Sequence, residues 1–181
     1  RPERKAAITL GPPGSGEECM VGTWNDGIKE LPDGNWGIAY WGESGLHNVK
    51  EEFEGELFPL IQTRNMGWAL WKPHRFSGME AASEGRFTIP TIYRKHNELR
   101  LNYRCKPGGW VSVELLRVVP SMKHGDVDPL SGFTFDESDR LTGDSPDEVV
   151  TWNGSSDISG LGDMVAIRLK MFQAKIFACQ V

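Results

Sequence analysis

The clearest pattern of apolar and polar positions lies in residues 98–116, ELRLNYRCKPGGWVSVELL. Leu99, Leu101 and Tyr103 alternate with Arg100, Asn102 and Arg104, and Val111, Val113 and Leu115 alternate with Trp110, Ser112 and Glu114. A period of two is that of a half-buried strand, and Lys106-Pro107-Gly108-Gly109 between the runs is turn chemistry. The pattern predicts a β-hairpin with one apolar face and one polar face carrying a single Trp. An apolar sheet face needs a second layer over it, so the hairpin is expected at the centre of an antiparallel β-sandwich.

The same reading extends along the chain. Residues 20–24 and 35–41 read as strands joined through the turn signal Leu31-Pro32-Asp33-Gly34-Asn35. Residues 42–55, with Glu51, Glu52 and Glu54, read as an exposed acidic loop, and residues 57–62 and 66–72 as another strand pair. Residues 86–93 lead into the hairpin. After it, residues 120–147 form a long acidic connection with a short strand expected at 132–135. Residues 148–152, 165–171 and 174–181 complete the strands, with a turn at Asn153-Gly154-Ser155. No long segment keeps a helical period, and the scattered Gly and Pro would break one. The predicted class is all-β, with β-hairpins in residues 1–80 and a jelly-roll-like sandwich in residues 81–181.

A net charge of −5, with basic residues gathered only at Arg1, Arg4 and Lys5, argues against nucleic acid or an anionic membrane as partner. No apolar run approaches the ~20 residues that cross a bilayer, and no signal peptide is visible. The sequence begins with Arg1, so its start is expected to have been processed away or to lie within a longer protein. Cys19, Cys105 and Cys179 have no metal-ligand spacing. Cys105 and Cys179 fall in predicted strands, either as buried thiols or as a bridge.

Seven tryptophans supply flat amphipathic rings suited to stacking on sugar C–H faces, with core packing as the alternative use. Trp110 is the foremost surface candidate, because it shares the polar face of its run with Ser112 and Glu114. Trp41 follows, on the side of its strand opposite Trp36, Ile38 and Tyr40. Trp36 is a further candidate, while Trp68, Trp71 and Trp152 are expected in the core. Asp136, Asp139, Asp144 and Asp147 offer hard oxygen ligands for a structural calcium ion; in a turn-rich segment they serve equally as Asx-type hydrogen-bond acceptors. His47, His74, His96 and His124 are scattered and support neither a metal site nor nucleophilic catalysis.

The order of motifs from residue 98 onward resembles the C-terminal β-sandwich of bacterial proteins related to glycoside hydrolase family 32, in which a five-bladed propeller precedes the sandwich. The resemblance is carried by the Leu99-Arg100-Leu101-Asn102 strand, Gly108-Gly109 and Val113-Glu114-Leu115-Leu116. It continues through Asp139, Leu141-Thr142-Gly143-Asp144-Ser145, Val150-Thr151-Trp152, Ser155-Ser156-Asp157, Ile167-Arg168-Leu169 and Phe177-Ala178. Gly16-Glu17-Glu18-Cys19, Ala39-Tyr40-Trp41-Gly42 and Gly67-Trp68-Ala69-Leu70 sit where those proteins have the last propeller strands.

This resemblance implies a secreted or periplasmic carbohydrate-binding or accessory module. It would bind a polysaccharide or oligosaccharide through Trp110, Trp41 and Trp36, with Glu114 and Asn102 reaching sugar hydroxyls, and it would work beside a linked catalytic domain. An alternative is the C-terminal piece of a glycoside hydrolase. Glu17 and Glu18 are then the only acids at a family-like propeller motif, and the remaining carboxyls of a two-carboxylate site lie outside this chain. A purely structural or protein-interaction sandwich is the third reading.

Overall fold

A computed structural model describes residues 6–45, 64–118 and 128–181. Among them there is no helix, and every strand pairing is antiparallel. The all-β class, consistent with the β-sandwich read from the sequence, is what the chain adopts. It divides into two compact units, Arg1–Pro73 and His74–Val181.

The first unit holds β1 (Met20–Thr23), β2 (Lys29–Glu30), β3 (Trp36–Glu43) and β4 (Arg64–Trp71), with β3 pairing all three others. The turn between β2 and β3 follows its chemistry. Leu31 donates its N–H to the Asn35 carbonyl at 2.8 Å, and the Asp33 carboxylate takes the Asn35 N–H at 3.0 Å. Gly34 supplies the positive φ of 76° at its tip. The exposed loop predicted over residues 42–55 is corrected at its start, where Gly42 and Glu43 are buried in β3; its acidic part at Glu51, Glu52 and Glu54, and the strand at 57–62, lie outside the described residues.

The second unit is built on β5 (Met79–Tyr93), β6 (Arg100–Leu116), β7 (Asp144–Val149) and β8 (Met164–Gln180), in the order β5-β8-β6-β7. Leu99, just before β6, and the odd-numbered Leu101, Tyr103, Val111, Val113 and Leu115 within it form the core as the alternation predicts, while Asn102, Ser112 and Glu114 of the other face are buried too. Leu99, Val111, Val113 and Leu115 are fully buried, packed with Val165, Ile167 and Leu169 of β8. The layer opposite the sheet comes from the connections: Leu130, Phe133, Leu141, Trp152 and Ile158 close over the same cluster. Burial of these side chains supplies the main driving force for this unit, about 1.5–3 kcal/mol for each large aliphatic residue before chain entropy is subtracted.

The hairpin predicted in residues 98–116 is corrected. Both runs belong to one 17-residue strand, β6, and both pair with β8, from Arg100↔Gln180 to Leu116↔Ala166. Lys106-Pro107-Gly108-Gly109 is a bulge between the registered pairs Cys105↔Ala174 and Trp110↔Phe172, standing opposite Gln173 alone. Gly108 takes φ 80°, and Gln173 across from it takes φ 45°. Turn residues specify a local bend, and whether the chain reverses depends on what pairs with it. For the same reason the two strands expected at 165–171 and 174–181 are one.

The strand expected at 132–135 is also absent; this segment is turns, tied to β6 by the Leu115 N–H donating to the Phe133 carbonyl at 3.0 Å. The Asn153-Gly154 turn is present, with φ of 50° and 80° at its two central residues.

Candidate functional site

Two surfaces carry aromatic side chains. On the first unit, the β3–β4 register places Gly37, Ala39 and Trp41 on the same face as Leu70, Trp68 and Met66. Trp41 leans over Gly22, where a Cβ would come within 2.5 Å of its ring, and Trp68 leans over Gly37, where a Cβ would come within 2.9 Å. Met66 is 76 % exposed, Trp68 51 % and Leu70 53 %. Trp68, expected in the core, is therefore a surface residue. Alternation gave these residues an apolar face, but nothing among the described residues of that unit buries it. Trp36 lies on the opposite face of β3, directly across from Trp71, and both are half-buried.

On the second unit, Trp110 lies on the face of the sheet turned away from the core. It pairs with Phe172 across β6 and β8, with ring centroids 6.5 Å apart and planes inclined by 25°. Arg140 sets its guanidinium carbon 4.5 Å from the Trp110 ring centroid, and Lys170 sets Nζ at 5.8 Å. Trp110 is half-buried rather than freely exposed.

Its expected polar companions are corrected. Glu114 is buried and ion-paired to Arg168. Ser112 is buried beneath the Phe135 carbonyl, which its hydroxyl reaches at 3.5 Å. Asn102 is buried as well, its Oδ1 accepting from Arg75 Nε at 2.8 Å. Neither Glu114 nor Asn102 is placed to reach a surface ligand.

The four aspartates do not converge on a cation. Asp144 lies between Arg75 at 2.6 Å and Arg104 at 2.7 Å, and Asp147 pairs with Arg100 at 2.8 Å. Asp139 accepts from the Thr151 hydroxyl at 2.6 Å and the Gly154 N–H at 2.7 Å, partners in a distant turn rather than the local backbone of an Asx turn. These hydrogen bonds hold the Asp139 and Asp147 carboxyls below the usual range. For Asp144, burial pushes upward, and the two arginines outweigh it. Asp136 is exposed, and no group of three metal-ligating residues forms among the described residues.

Glu17 and Glu18 point to separate partners. Glu17 lies against Gly42 and accepts from the Tyr40 hydroxyl at 3.1 Å, a bond that raises the tyrosine pKa. The Glu18 carboxylate accepts the Gly14 N–H, and backbone N–H groups of its own loop, its own first, lower its pKa. Cys105 and Cys179 are free thiols, both raised by burial, so the bridge is not formed. His96 meets Gln180 at 2.7 Å; His47 and His124 lie outside the described residues.

Sequence reasoning missed Arg140 and Met66. Arg140 sits inside an acidic stretch, where charge alone marks it as solvated surface. Met66 was read only as part of a strand. No protein-family profile, curated protein or solved structure matches the chain.

Proposed function

We propose that the chain is a carbohydrate-binding or accessory module of a carbohydrate-active enzyme, holding a polysaccharide by aromatic stacking. The observation that carries this reading is Trp68, half-exposed beside Trp41 on a β-sheet face where Gly22 and Gly37 let the two indoles lie close against the backbone. An indole held against a sheet offers a rigid, flat surface, and the C–H face of a pyranose ring packs on it with little loss of side-chain freedom. Affinity electrophoresis in gels cast with neutral polysaccharides tests it. Retardation that Trp68→Ala abolishes supports the reading, and equal mobility in every neutral gel overturns it.

Met66 and Leu70 favour a second reading, because aliphatic side chains suit protein packing better than sugar stacking. In that reading the face is covered by a neighbouring sheet, as a propeller blade is, and the chain belongs to a glycoside hydrolase whose catalytic residues lie elsewhere. Substitution of both by Ser separates the two. Undiminished glycan retardation favours the binding surface, whereas failure to join a longer form of the protein favours the blade.

A further inference from the structure

Resting on the reading that the chain binds glycan, we infer that the Trp110 face of the second unit is a separate subsite for an acidic sugar, one bearing a carboxylate or sulfate. Two cations meet the Trp110 ring, and a third faces one of them across the sheet. Arg140 stacks on Trp110, and Lys170 approaches the same ring. Arg86 of β5 stands directly opposite Lys170 of β8 in register, on the same side of the sheet. Like charges facing each other across a ladder repel, so this arrangement costs stability that an anionic ligand would recover. The nearby acid is Glu84, 3.4 Å from Lys170. No ion pair or hydrogen bond engages the side chains of Arg86 or Arg140 among the described residues.

The chemistry fits one charged ring better than an extended polyanion. Trp110 holds the Arg140 guanidinium as a planar fork of N–H donors, the geometry that grips a carboxylate or sulfate through two parallel bonds. Phe172 and Trp110 supply apolar contact beside it, and Lys170 adds a point charge. The first-unit surface around Trp68 has no such cation cluster among its facing residues, where Arg64 is already paired with Glu43 at 2.7 Å. The two surfaces therefore call for different sugars.

The test is affinity electrophoresis at 0.15 M salt in gels containing polygalacturonate, heparin or a neutral glucan. Binding to both acidic polymers is expected, weakened about tenfold by Arg140→Gln or Lys170→Gln and unchanged by Lys175→Gln, a charge-matched control away from Trp110. Trp68→Ala is expected to leave acidic retardation in place. If Arg140→Gln leaves it unchanged, or Lys175→Gln reduces it equally, the subsite is overturned. Equal, Arg140-dependent competition by single-stranded oligo(dT) overturns the assignment to glycan. Acidic retardation without any neutral retardation upholds the subsite while rejecting stacking at Trp68.

Discussion

Arg75 Nη1 lies 2.6 Å from Asp144 Oδ1, and the arginine side chain is only 8 % exposed. The same guanidinium donates to Asn102 Oδ1 at 2.8 Å and to the Tyr103 carbonyl at 3.2 Å, and stacks 5.0 Å from the Phe177 ring centroid. A buried cation with this many partners pins the residues before β5 to β6 and β8. Arg75→Ala is expected to destabilise the second unit by about 2 kcal/mol, read as a lower urea midpoint with an unchanged slope. A midpoint equal to that of the parent protein rejects the pinning role.

Acid should weaken the same cluster. Asp144 is held below its unfolded value of about 3.9, so its contribution is complete above that pH and is lost as pH falls through the lower folded value. Melting temperature is therefore expected to drop below about pH 4. Asp144→Asn should start lower and fall less steeply, and parallel curves for the two proteins would exclude Asp144 as a source of the acid sensitivity.

The bulge in β6 makes two neighbouring glycines unequal. A Cβ on Gly109 would lie 2.5 Å from the Gln173 carbonyl oxygen and 2.8 Å from that of Phe172, whereas Gly108 faces open space and is constrained only by its φ of 80°. Gly108→Ala should cost about 1–2 kcal/mol, and Gly109→Ala about 1–3 kcal/mol or more because backbone must move. Thermal denaturation of both variants decides it, and a less stable Gly108→Ala would contradict the bulge geometry.

The three cysteines should differ in reactivity. Cys19 is exposed, while burial raises the thiols of Cys105 and Cys179. A thiol reagent at pH 8 is expected to modify Cys19 quickly and the other two only after denaturation. Three equal rates in the folded protein would show that the second unit opens readily.

Trp152 donates its indole N–H to the Val113 carbonyl at 2.9 Å and meets Phe133 edge-on at 5.1 Å. Trp152→Phe keeps an aromatic ring but removes the donor from a buried carbonyl, which is expected to cost about 1–3 kcal/mol. Trp68→Phe, on an exposed face, should change stability by less than about 0.5 kcal/mol. Chemical unfolding of the two variants in parallel checks the contrast.

Much of the core was legible because strand alternation is a local property. Leu99, Leu101, Val111, Val113 and Leu115 face inward whether the chain turns at residue 107 or runs on, so the correct face came out of an incorrect hairpin. What pairs with β6 was not legible, since β8 lies far along the chain and no local residue names it. Trp68 failed for a related reason: alternation says that a face is apolar, and only a second layer decides whether it is covered. The aspartates were misread because their partners, Arg75, Arg100 and Arg104, are dozens of positions away. Spacing along the chain reveals neighbours only where neighbours are local.

Strand β8 is the last of its sheet to be synthesised, yet it lies between β5 and β6. Until it has left the ribosome, β5 and β6 lack the partner that joins them, and their edges stay open to other chains. The second unit is therefore expected to fold only once β8 is available to pair, and slowly, because its principal contacts span most of its length. A chain stopped before Met164 would present open strand edges instead of a smaller stable domain.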